Sequence, residues 1–184
     1  MPRPSLFMSV LLSLSLAAPV PALAYGGGGG NNAAGLNNAT TSKTIRTLKR
    51  GVRGCQRLQP VYRYDCYRQT YAKAASQLTQ DPAYAEIRTV LLDVENRLGR
   101  TINANLDKAA PQVRRGGSQF RAIRQASLPR AKSEFSAALE RAETTLLRSP
   151  NGSNTHVVRI ADALNSNKLL LRSRLKTIQP PAFA

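Results

Sequence analysis

Two cysteines, one histidine and ten carboxylates are the side chains in this chain that could carry covalent, metal or proton-transfer chemistry. Their spacing argues against each. Cys55 and Cys66 lack the Cys-x-x-Cys spacing of a redox pair or zinc site, and no second cluster of ligands accompanies them. In an exported chain an even pair reads as a structural disulfide. Residues that far apart on an unbroken helix would be about 16 Å distant, whereas bridged Cα atoms sit within about 7 Å, so the chain must fold back, with Pro60 as the natural place. His156, the only histidine, falls in the first turn of an expected helix without a companion nucleophile, and reads as a solvated or capping residue. The carboxylates form no Glu-x-x-His or His-Glu-x-x-His pattern, and Asp93 and Glu95, two apart, do not share a helix face. A Cys-x-x-Cys-His haem motif is absent. The expectation is a non-enzymatic protein with no catalytic residue, no metal and no cofactor.

Arginine is the residue type that does point to a partner. The chain has 20 Arg and 7 Lys against 10 acidic residues, a net charge of +17. The planar guanidinium fork suits phosphate and carboxylate groups. Whether such a charge excess binds anything depends on where the fold places it.

The ends of the chain frame that fold. Arg3, the apolar run Leu6 to Ala18 and the small-x-small site Ala22-Leu23-Ala24 make residues 1–24 a secretory signal peptide, and the apolar run falls short of the about 20 residues that span a bilayer. The expected location is therefore exported, periplasmic or secreted. Loss of Arg3 lowers the net charge by one, to +16. Residues 25–42, with five consecutive glycines, read as a flexible Gly/Asn-rich leader, and 179–184, with Pro180-Pro181, as a disordered tail.

Between these ends, residues 43–178 show helical apolar spacing and no alternating strand pattern. The clearest stripe is Ile87, Val90, Leu91, Val94, Leu98, Ile102, Leu106 and Ala109, introduced by Asp81 as cap and Pro82 as first helical residue. A third segment from Ser118 carries Phe120, Ile123, Ala131, Phe135, Leu139, Ala142 and Leu146 in phase across Pro129, which predicts one kinked helix, with a fresh start capped by Ser127 as the alternative. A last helix follows Asn154, with Val157, Ile160, Ala161, Leu164 and Leu171 inward. The first helix, from Lys43 to Leu78, is interrupted by Gly51, Gly54 and Pro60, and places Tyr64, Tyr67 and Tyr71 on one side. The expected fold is all-α: an up-and-down four-helix bundle with a kinked third helix and one intrachain disulfide, behind a disordered leader.

Alternating helix directions would gather nearly all the positive charge at one end. The residues expected to bind anions there are Lys49, Arg50, Arg53, Arg57, Arg97, Arg100, Arg114, Arg115, Arg121, Arg172 and Arg174. Cations at the starts of the first and third helices would oppose the helix dipole, which favours a binding role over a stabilising one. Tyr62 and Tyr64 are placed to stack on a ligand, although the spacing of Tyr64 suits the core. The expected partner is an anionic polymer or membrane surface: phosphate-bearing lipid, lipopolysaccharide, acidic polysaccharide or nucleic acid. An envelope chaperone or adaptor, holding protein partners through an apolar helix face, is the alternative.

Overall fold

The computed structural model describes residues 35–173, apart from the side chains of Arg172 and Ser173; the expected signal peptide, the first part of the leader and the tail lie outside the described residues. Helices begin where the local chemistry allows. Asn37 Oδ1 accepts from the Thr40 amide at 2.9 Å and starts α1, Asn38–Cys55. Pro60 opens α2, Pro60–Ser76. Asp81 Oδ1 accepts from the Ala83 amide at 3.1 Å and heads a 3-10 turn, Pro82–Tyr84, that runs into α3, Ala85–Ala104. Pro129 occupies the first turn of α4, Leu128–Arg148. Asn154 Oδ1 accepts from the His156 amide at 2.9 Å at the head of α5, Thr155–Ser173.

The described residues thus hold five α-helices where four were expected. The segment read as one first helix is two antiparallel helices, because the Cys55–Cys66 disulfide draws the two Cα atoms to 5.6 Å and the chain reverses between them. The leader is also shorter than read: residues 38–42 belong to α1, and Thr41 is fully buried. Asparagine and threonine there act as cap and helix rather than loop.

The kinked third helix is not formed. Residues 113–120 fold instead as a β-hairpin, β1 Val113–Arg115 and β2 Ser118–Phe120, with Val113 paired to Phe120 and Arg115 to Ser118. Gly116 and Gly117 turn it with φ of 57° and 78°, the left-handed region that a two-residue hairpin needs and glycine enters freely. Beyond it, the Ile123 amide donates to the Val61 carbonyl at 3.0 Å, so Phe120 and Ile123 are buried from extended chain. Pro129 lies where a helix starts, so nothing bends.

Each helix packs on its chain neighbours, and α5 returns to α1 to close the ring. Directions alternate: Tyr84 at the head of α3 bonds Asn37 and Thr41 at the head of α1, and Thr41 meets His156 at the head of α5. The core holds the α3 stripe Ile87, Val90, Leu91, Val94, Leu98 and Ile102 as expected, with Tyr71 edge-on to Phe135 and Tyr67 stacked on it at 5.0 Å. No helix among the described residues is long and apolar enough to cross a membrane.

Candidate anion-binding groove

Alternation carries the ends of α1 and α3 and the start of α4 to one end of the ring, capped by the segment between α3 and α4. That cap is tied down by Asp65 of α2. Its carboxylate, 2% exposed, accepts from the Arg121 amide at 3.0 Å, from Arg121 Nη2 at 3.2 Å and from Arg68 Nε at 2.8 Å. Arg68 Nη1 reaches on to Glu95 at 2.8 Å. Burial acts to raise the pKa of Asp65, but the bonds from Arg121 and Arg68 outweigh it and hold the carboxyl below the usual range. Tyr62 Oη donates to the Pro111 carbonyl at 2.9 Å, and a small second core of Leu58, Tyr62, Phe120 and Ala122 fills the space beneath.

From this capped end a groove of about 590 Å³ runs between α1 and α2 towards the start of α1 and the finish of α2. Lys43, Arg46 and Arg50 line it from α1, Lys73 from α2 and Arg115 from β1; all five are exposed, and no carboxylate among the described residues lines the groove. On α1 the spacing i, i+3, i+7 sets the three cations in a file, about 4.5 and 6 Å apart along the axis. The floor is narrow because Gly51 lies against Thr70, where a Cβ would come within 2.3 Å of the Thr70 methyl. Arg115 is steadied over the lower end by a bond from its Nη1 to the Arg57 carbonyl at 3.2 Å, and Gln69 Nε2 holds the Gln119 carbonyl at 2.7 Å. Uniform positive charge beside low-dielectric walls concentrates the field on an entering anion.

Only part of the expected set meets here. Arg50 and Arg115 share the groove. Lys49 and Arg53 face the other side of α1, over a depression of about 330 Å³ against α5 with Leu169 and Leu170. Arg97 and Arg100 line a cleft of about 250 Å³ between α3 and α4, with Arg130 and Glu134. Arg97 is bound to Asp93 at 2.6 Å and Arg121 to Asp65, so neither guanidinium is uncommitted. Arg57 and Arg114 are exposed at the capped end, Arg172 belongs to the last turn of α5, and Arg174 lies outside the described residues. The dipole argument holds only in part: Lys49, Arg50 and Arg53 lie in the C-terminal half of α1, where the dipole favours cations, and Arg114, Arg115, Arg121 and Arg124 lie on no helix, whereas Arg130 and Lys132 stand among the opening residues of α4.

Lys43, Arg46 and Lys73 are the groove residues that the expected set omits. The file of Lys43, Arg46 and Arg50 beside Gly51 and Gly54 was the available signal; nothing local announces Lys73. Tyr62 and Tyr64 are buried and offer no stacking face. His156, expected as a solvated or capping residue, is half-buried with Nδ1 3.0 Å from Thr41 Oγ1. Among the described residues no three metal-ligating side chains cluster, and the exposed large apolar side chains, Leu147 and Leu169, stand on different helices and make no continuous face. Comparison with known families, characterised proteins and solved structures returned no match.

Proposed function

We propose that this is an exported, non-enzymatic helical protein that binds an anionic component of the envelope or extracellular medium in the groove between α1 and α2. One observation carries the reading: five exposed cations from three separate elements converge on one groove that no carboxylate of the described residues enters. A solvated basic surface would intersperse acids among its cations to limit repulsion, as happens elsewhere on this chain at Asp93 with Arg97 and Glu143 with Lys168. Export is supported by the signal-like first residues and by the disulfide, which persists in oxidising compartments.

Binding to anionic vesicles, lipopolysaccharide and single-stranded DNA, titrated from low to high salt, tests the proposal. Affinity falls steeply with salt if phosphates displace counterions. A variant with Lys43→Gln, Arg46→Gln and Arg50→Gln loses about 1 kcal/mol per cation, or about 100-fold in affinity. Absence of binding at low salt, or an unchanged Kd in the triple variant, overturns the assignment.

A further inference from the structure

The groove is not the same along its length. Its upper part, between Lys43, Arg46 and Thr47 on α1 and Lys73 on α2 with Gln77 just past its end, is cationic and polar. Below Arg50 the lining becomes mostly apolar, with Gly51, Gly54, the Cys55–Cys66 disulfide, Leu58 and Phe120 beside the uncharged polar Gln69, Thr70 and Ser118. Among the described residues that line the groove, Arg115 is the one cation at that lower end, and one of its nitrogens is engaged on the Arg57 carbonyl.

The two glycines differ in a way that bears on the occupant. Gly51 is explained by packing, since any side chain there would strike Thr70. Gly54 is not, because a Cβ there would meet nothing within 4 Å. Gly54 stands in the last turn of α1 beside the groove, so a side chain there would enter open groove space without striking the protein. That space is the mostly apolar part.

We infer that the occupant is a single anionic amphiphile, its charged head among Lys43, Arg46 and Lys73 and its alkyl chain directed along Gly54 towards the disulfide, Leu58 and Phe120; this rests on the groove being the anion site proposed above. From Lys43 to Cys55 the helix rises about 18 Å, room for a phosphate or carboxylate head and a chain of medium length. A volume of about 590 Å³ falls in the range of small-ligand pockets, about 300 to 1,000 Å³. A polyanion fits less well, because it would carry charge into the end of the groove where the cations thin out to Arg115.

The test is calorimetric titration of the full mature chain with inorganic phosphate, with octyl, decyl and dodecyl phosphate below their micelle concentrations, with dodecanoate and with oligothymidylate. Dodecyl phosphate should bind at least 100-fold more tightly than inorganic phosphate, each methylene that reaches the lower wall tightening Kd by up to about 4-fold. Equal binding of dodecanoate identifies a fatty acid as a source, weaker binding a phosphorylated lipid; both keep the amphiphile. Gly54→Leu, which leaves the cations in place, should weaken dodecyl phosphate at least 10-fold and leave inorganic phosphate unchanged. Affinity independent of chain length, or oligothymidylate binding tighter than dodecyl phosphate, overturns the amphiphile while leaving the anion site intact. Failure of every anion to bind removes the anion site itself. Because the chain-length series uses the unaltered protein, a folding defect in Gly54→Leu cannot rescue the inference.

Discussion

Asp65→Asn should loosen the cap over the capped end and, with it, the groove. The carboxylate is 2% exposed, while the Arg68 and Arg121 side chains that bind it are 25% and 32% exposed. An asparagine retains one acceptor oxygen but turns an amide NH₂ towards a donor, either the Arg121 amide or the two guanidiniums. Breaking a buried ion pair costs about 3 to 5 kcal/mol. Both arginines can partly rehydrate, which places this substitution at the lower end, about 3 kcal/mol. For a domain of this size that is about a 9 °C fall in Tm. The pH dependence carries a definite sign. The folded pKa of Asp65 is depressed below the unfolded value of about 3.9, so its stabilisation is complete above about pH 5 and is lost as the pH falls through the folded value. Thermal unfolding followed by circular dichroism at pH 7, 5 and 3 should therefore show the gap between wild type and variant narrow at pH 3. Hydrogen exchange of the Arg121 amide should accelerate in the variant at pH 7, and anion affinity should fall because Arg115 is carried by the same hairpin. A gap below about 3 °C at pH 7, or one that persists undiminished at pH 3, would refute the account of Asp65 as the tie.

Replacing Cys55 and Cys66 together by alanine removes a cross-link over a sequence separation of 11 and should cost about 3 kcal/mol, read from urea unfolding under oxidising conditions; an unchanged midpoint would contradict it. Gly51→Ala should destabilise by about 1 to 3 kcal/mol although alanine favours helix, since its Cβ would stand 2.3 Å from the Thr70 methyl. Adding Thr70→Ala should recover part of that loss, and additivity of the two changes would argue against the contact. Tyr84→Phe removes the hydroxyl that lies 2.9 Å from the Asn37 amide and 2.7 Å from Thr41 Oγ1. It should cost about 1 to 3 kcal/mol and speed exchange of the amides that open α1; wild-type exchange rates there would count against the network.

Local signals in the sequence were sufficient for the helical class, the α3 stripe from Ile87 to Ile102, the caps at Asp81 and Asn154, and the pairing of Cys55 with Cys66. These follow from periodicity, from side chains that satisfy free amides within three residues, and from having only two cysteines. The hairpin was hidden because Phe120 and Ile123 fall at a spacing that a helix would also bury, and only contact with Val61 and Leu106 selects extended chain there. The anion groove was half legible: the file of Lys43, Arg46 and Arg50 can be read along one helix, but Lys73 joins it only because α2 folds back on α1 at Gly51 and Thr70. Arg121 looked like a free cation until its partner appeared 56 residues away. Charge along a chain records how many cations are present; which of them remain free to meet a ligand is decided by contacts between distant segments, and those exist only once the ring of helices has closed.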